Sequence, residues 1–110
     1  MKQVCLRPRA RQDRRDEVRY YRDESGPQVA IQRVKSLQAA LDAIQRNPRL
    51  GSPALGKAIG IESLRTWLID GFPLTFWYFE RESFIDVARV VGQRQDALRI
   101  DPDEAPTGIG

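Results

Sequence analysis

The sequence predicts an α+β domain in the order β-α-α-β-β-β, with an N-terminal helical hairpin packed on one face of a small, mainly antiparallel sheet. Three observations predict it. A helical period runs cleanly from Ala30 to Ile44, the apolar pattern changes to a period of two after Gly60, and a run of breakers separates the two regimes. Helices followed by a block of strands, rather than alternating with them, mark an α+β chain.

Gln3 to Leu6 alternates as a short strand, and Pro8 ends it. Pro8 also suits the first turn of a helix, because the N–H it lacks would have no helical partner there. Arg9 to Asp23 reads as that helix, supported by Arg9/Asp13 and Arg19/Asp23 pairs one turn apart. Its apolar stripe is thin (Ala10, Val18 and Tyr21, with Tyr20 beside it), and Arg14 sits where the stripe should continue. Ser25-Gly26-Pro27 breaks it and starts the next helix, so the two must run antiparallel. The second helix places Ala30, Val34, Leu37, Leu41 and Ile44 on one face, expected to be buried, until Asn47-Pro48 stops it.

Pro48, Gly51, Pro53, Gly56 and Gly60 make 48–60 read as a loop. Ile61 to Ile69 reads as a strand, Asp70-Gly71 as a turn, and Leu74 to Phe79 as a central strand, apolar on both faces. Glu80 to Ser83 is the next turn and Phe84 to Val91 the last strand, ended by Gly92; Gln93 to Leu98 reads as a helical turn. The domain is expected over 1–98, with 99–110 a disordered acidic tail.

The chain of 110 residues suits one domain, with 41% apolar and 30% charged residues. No run approaches the roughly 18 apolar residues of a membrane span, and Met1 to Arg11 lacks the apolar stretch of a signal peptide, so a cytoplasmic protein with no membrane partner is expected. The single cysteine, Cys5, cannot form an internal disulfide and reads as a small buried hydrophobe. There is no histidine, which removes the usual general base and the usual metal ligand. No phosphate-binding loop, dinucleotide fingerprint or metal-ligand spacing is present, and neither cofactor nor metal is expected.

The net charge of +3 hides a gradient. Residues 1–22 carry eight basic against three acidic side chains, whereas 95–110 carry Arg99 against Asp96, Asp101, Asp103 and Glu104. Almost all the basic residues are arginine, whose planar fork suits carboxylates and phosphates; the basic helix is either a solvated face or the surface for an acidic partner. The aromatic residues clustered in the strands, Trp67, Phe72, Phe76, Trp77, Phe79 and Phe84, read first as core and second as a stacking platform for bases. Alternation puts Arg89 with Ile85, Val87 and Val91, where it must either pair internally, with Asp86 or Glu62, or reach a partner's phosphate or carboxylate.

Five segments in order resemble the RelE/ParE toxin superfamily: Leu6-Arg7-Pro8-Arg9-Ala10 opening a helix, the Asn47-Pro48-Arg49-Leu50-Gly51 stop, Leu64-Arg65, Gly71-Phe72-Pro73 entering an aromatic strand, and Ile85-Asp86-Val87-x-Arg89-Val90-Val91-x-x-Arg94-x-Asp96. They span about residues 3 to 98 and look most like the ParE or plasmid-stabilisation branch. The resemblance implies the toxin of a bacterial type II toxin–antitoxin pair, with the first strand beside the last. A small antitoxin with an acidic C-terminal part would neutralise it, which fits the basic first helix through Arg11, Arg15, Arg19 and Arg22.

Arg65, Arg89 and Arg94 are the expected target-binding residues, each resembling a position that the superfamily keeps basic. ParE-type members inhibit DNA gyrase by binding; RelE-type members cleave mRNA on the ribosome. The nuclease branch carries an arginine after the glycine–aromatic turn, where this chain has Pro73, often a histidine where it has Gly92, and a C-terminal tyrosine, whereas nothing after Tyr78 is a tyrosine. Gly92 and Gln95 also depart from the usual ParE ending. Proton transfer is thus poorly provided, no catalytic residue is assigned, and gyrase binding is the preferred expectation, with ribosome-dependent mRNA cleavage the alternative.

Overall fold

A computed structural model of the chain describes residues 1–69 and 73–92. It contains β1 (Gln3–Leu6), α1 (Pro8–Ser25), α2 (Pro27–Arg46), α3 (Ala54–Ile59), β2 (Leu64–Leu68), β3 (Leu74–Glu80) and β4 (Phe84–Gly92). The turn at Asp70-Gly71, Phe72, the Gln93–Leu98 turn, Arg94 and the tail 99–110 lie outside the described residues.

The helical hairpin forms as its punctuation dictates. Pro8 and Pro27 each occupy a first helical turn, and Gly26 alone separates the helices. Gly26 has φ +92°, a conformation that suits glycine; its N–H caps α1 at Arg22 O (3.0 Å), while its C=O accepts the Ala30 N–H of α2 (3.2 Å). One residue therefore ends one helix and begins the next.

The sheet order is β1-β4-β3-β2. β1 pairs parallel with β4, placing the first strand beside the last, and the other two pairings are antiparallel. Parallel neighbours need a long crossover, and here α1, α2, β2 and β3 all lie between the two strands in sequence. One face of the sheet presents Phe76, Tyr78, Ile85, Val87 and Val90 to Ala10, Leu37, Leu41 and Ile44 of the hairpin. On the other face Leu64, Phe79 and Ala88 form a smaller cluster with Ile61 and Trp77. The aromatic side chains Phe76, Tyr78 and Phe79 are thus core, while Trp67 and Trp77 are partly covered.

Four expectations are corrected. Residues 48–60 contain the helix α3, because Pro53 and Gly60 bracket it rather than interrupt it. The Ile61–Ile69 strand is shorter: Ile61 N–H bonds back to Gly56 O (2.8 Å) and Ser63 takes φ +71°, so the chain wraps the end of α3 before β2 starts at Leu64. Cys5 is exposed, because β1 turns Val4 and Leu6 inward and Gln3 and Cys5 outward. Val34 lies at the edge of the apolar stripe of α2 and is 47% exposed, against 2% for Leu37.

A β-bulge decides the face of the last strand. Tyr78 pairs with Val87 but Trp77 pairs with Arg89, leaving Ala88 as an extra residue. Beyond it Val90, opposite Phe76, faces the core and Val91 does not, which reverses the phase that simple alternation assigns. Leu37→Ala is expected to cost about 2–5 kcal/mol, the usual range for emptying a buried leucine site. Val34→Ala is expected to cost no more than about 0.5 kcal/mol. Denaturant titration of both variants checks the facing of α2, and equal losses would contradict it.

Candidate functional site: a basic groove beside an edge strand

β1 is short, pairing only with Phe84 to Val87, and Arg7 N–H adds one more bond to Val87 O (2.9 Å). The chain then enters α1, which packs along the rest of β4. There Asp13 stands in for a strand partner. Its Oδ2 accepts the Val90 N–H (3.0 Å) and the Arg89 Nε–H (2.7 Å), and its Oδ1 accepts from Arg89 Nη2 (3.2 Å). Both residues are 2% exposed. Arg89 therefore pairs internally, with Asp13 rather than with Asp86 or Glu62, and is not presented at the surface. One turn on, Glu17 is also buried and lies against β4: a Cβ at Gly92 would meet Glu17 Oε1 at 2.7 Å. That close approach is a physical reason for glycine where many relatives of the resembled superfamily carry a histidine.

Of the other sequence-derived target residues, Arg65 is not brought together with Arg89. Arg65 is half-buried on β2 and donates to Gly51 O (2.7 Å) and Arg49 O (3.3 Å). The fully buried Tyr78 hydroxyl donates to Pro48 O (2.8 Å) and accepts the Gly51 N–H (2.8 Å). Burial pushes its phenol above the ordinary value. Arg65 and Tyr78 thus clamp the 48–51 loop to the sheet, and β3 stands between Arg65 and Arg89. Arg94 lies outside the described residues.

On the sheet face away from the hairpin, Asp86 is shared by two guanidinium groups. Arg7 donates through Nε (2.9 Å) and Nη2 (2.8 Å), and Arg81 through Nε (3.1 Å) and Nη2 (3.0 Å). Both guanidinium groups also lie over the Phe79 ring, at 5.6 and 4.5 Å. Arg7, then burial in opposition, then Arg81 set the Asp86 carboxyl, whose pKa is lowered from the ordinary value.

Four arginines of α1 face outward. Arg11, Arg15, Arg19 and Arg22 are exposed along α1. Arg15 donates to Gln12 Oε1 (2.8 Å), and Arg22 lies 3.5 Å from the exposed Asp23. Beside this stripe an apolar groove of ≈ 200 Å³ opens between the helices, floored by Val18, Leu37 and Leu41, with Arg14 and Arg15 on one wall and Val34 on the other. A second hollow of ≈ 290 Å³ continues it toward Gln3, Val4 and Leu6 of β1, sharing Arg14, Gln38 and Leu41 with the first. β1 is an edge strand, so among the described residues no strand lies beside its outer side. The groove thus joins apolar floor, cationic wall and unpaired strand edge, a combination suited to an extended or helical acidic segment.

Sequence reasoning missed Asp13, Glu17 and Arg14. Ala10, Asp13, Glu17 and Tyr21 follow spacings of three, four and four, a helical stripe hidden because two members are charged. The signal that finds it is Arg89, since a guanidinium within an apolar strand requires a carboxylate on a neighbouring element.

Among the described residues no cluster of His, Cys, Asp and Glu could hold a metal ion, and no helix is long and apolar enough to cross a membrane. The family model of the ParE toxin of the type II toxin–antitoxin system, parDE, matches residues 4–97. A solved structure described as the chromosomal ParDE TA system from P. aeruginosa is similar at a TM-score of 0.71 and 18% identity, covering 84% of this chain and 96% of that one. At that identity the likeness concerns the fold. No curated protein sequence matches the chain significantly.

Asp13→Ala removes the carboxylate that Arg89 and the Val90 N–H share and is expected to destabilise by about 3–5 kcal/mol, whereas the apolar pair Asp13→Leu/Arg89→Met is expected to recover only part of that loss, because the Val90 N–H stays without its acceptor. Denaturant titration checks both. For Asp86 the folded pKa lies below the unfolded one, so its contribution is complete above the unfolded value of about 3.9 and is lost as pH falls through the lowered folded value. The stability deficit of Asp86→Asn at pH 7 is therefore expected to shrink on acidification below about pH 3.9. A deficit constant down to pH 2 would count against an ionised, arginine-held carboxylate.

Proposed function

Because the chain belongs to the ParE toxin family of type II toxin–antitoxin systems, we propose that it arrests bacterial growth by binding DNA gyrase in the cytoplasm. We propose further that a cognate antitoxin neutralises it by laying an acidic segment along the groove between α1, α2 and β1. The observation that carries the binding mechanism over phosphodiester cleavage is the Asp13–Arg89 pair. Cleavage needs acid–base groups or free cations at the developing charge. Here Arg89 is buried against Asp13, Arg65 is engaged with loop carbonyls, and the chain has no histidine. Inhibition by binding requires none of these groups to do chemistry.

The antitoxin half of the proposal is supported by charge and shape together. The α1 stripe of Arg11, Arg15, Arg19 and Arg22 lies beside a groove whose floor is apolar. Such rim charges steer an acidic partner and raise its on-rate, while the apolar floor supplies burial. Arg65 and Arg94 remain candidates for contact with the target.

Induced expression of the chain is expected to trigger the SOS response and alter plasmid supercoiling without transcript cleavage at codon boundaries. Codon-mapped mRNA cleavage with no effect on supercoiling would replace the gyrase reading by the ribosomal one. Replacing Arg11, Arg15, Arg19 and Arg22 together by glutamine is expected to slow antitoxin association at low salt and to flatten its salt dependence. Stopped-flow mixing at several ionic strengths reads this directly.

A further inference from the structure

Arg14 differs from every other arginine of α1. It is half-buried, whereas Arg11, Arg15, Arg19 and Arg22 are exposed. It lies where the two hollows meet and lines both. Its guanidinium makes no hydrogen bond or ion pair with the described residues. The buried acids of α1 are directed elsewhere, Asp13 to Arg89 and Glu17 against Gly92. Asp42 shares the second hollow with Arg14 but forms no ion pair with it, and its Oδ1 accepts from Gln38 Nε2 (3.0 Å).

A guanidinium partly withdrawn from water without an anion is costly to keep, and it attracts a carboxylate more strongly than a solvated one does. Its planar fork also favours bidentate carboxylate geometry over a diffuse negative field. On one side of Arg14 the groove is apolar, with Val18, Val34 and Leu37. On the other it is polar, with Gln3, Asp42 and Gln45 beside the β1 edge. An occupant is therefore read in order: apolar side chains, then one carboxylate, then polar groups and backbone along the strand.

We propose that Arg14 is a single-carboxylate receptor that sets the register of the antitoxin segment in the groove and so discriminates the cognate antitoxin from other acidic peptides. This rests on the reading that an antitoxin occupies the groove. The exposed arginines attract any acidic chain, and Arg14 selects the one whose aspartate or glutamate falls at the junction while its apolar residues fill the floor. Discrimination then comes from the mismatch, since an occupant with the wrong register leaves Arg14 desolvated and unpaired.

The test uses the full chain and a candidate antitoxin, sought as a short acidic reading frame adjoining its gene. Arg14→Ala, Arg14→Lys and Arg19→Ala are each titrated against that antitoxin and against versions with one Asp or Glu at a time changed to Ala. Arg14→Ala is expected to weaken Kd by at least about 10-fold, mainly through faster dissociation, and to keep that deficit at high salt; Arg19→Ala is expected to change it by about threefold or less and only at low salt. One acidic position of the antitoxin should lose its effect in the Arg14→Ala background and no other position should, with Arg14→Lys in between. The melting temperature of Arg14→Ala should match or exceed that of the parent, because no partner among the described residues is lost, and this separates weakened binding from misfolding. If the parent binds but Arg14→Ala behaves as Arg19→Ala does, or no single acidic residue couples to Arg14, the receptor is overturned and the antitoxin reading stands. If the parent does not bind the antitoxin at all, that reading falls and the receptor falls with it.

Discussion

The contact of Asp13 with Arg89 and the Val90 N–H holds the architecture together. β4 is a central strand, but its neighbour β1 ends after Leu6, which would leave part of one side of β4 with unmet backbone donors. α1 fills the gap with a carboxylate rather than with apolar packing alone. This fixes the position of the hairpin along the strand, because displacing α1 breaks the contacts of Asp13 with both Arg89 and the Val90 N–H. The β-bulge at Ala88 belongs to the same device, since it sets the phase in which Arg89 and Val90 follow it.

Nine of the arginines divide into two sets. Arg7, Arg65, Arg81 and Arg89 are engaged internally, tying β1 to β4, a loop to the sheet, a turn to Asp86, and α1 to β4. Arg11, Arg14, Arg15, Arg19 and Arg22 carry charge on or beside the groove. The inner set takes up the carboxylates Asp13 and Asp86, so the outer set is left with few acidic neighbours. A chain with a modest net charge thereby presents a strongly cationic helix face. The gradient from basic front to acidic tail seen in the sequence is sharpened by folding, because the acids interspersed in α1 turn inward at Asp13 and Glu17.

The groove has a related origin. α2 buries Leu37, Leu41 and Ile44 against the sheet while Val34 and Ile31 remain outside. α1 meets the sheet through small and charged side chains, Ala10, Asp13 and Glu17. Its larger apolar residue Val18 therefore lies toward α2 rather than beneath the helix. The two helices leave apolar surface between them that neither covers, and the edge of β1 continues it.

Much of the fold was legible in the sequence. The hairpin follows from Pro8, Gly26-Pro27 and Asn47-Pro48, the strands from the change of period, and the family from an ordered set of short segments; each of these depends on residues near in sequence, where backbone preference and apolar period act locally. The exposed arginine stripe of α1 was legible for the same reason. The tertiary structure alone decided which charged residues are internal. Arg89 reads as a surface candidate until Asp13, 76 residues earlier in the chain, is brought against it, and Arg14 reads as a break in a helical stripe until α2 and β1 close around it. Local pattern records the polarity of a side chain, but whether a charge is solvated, paired or left waiting for a partner depends on what long-range packing places beside it.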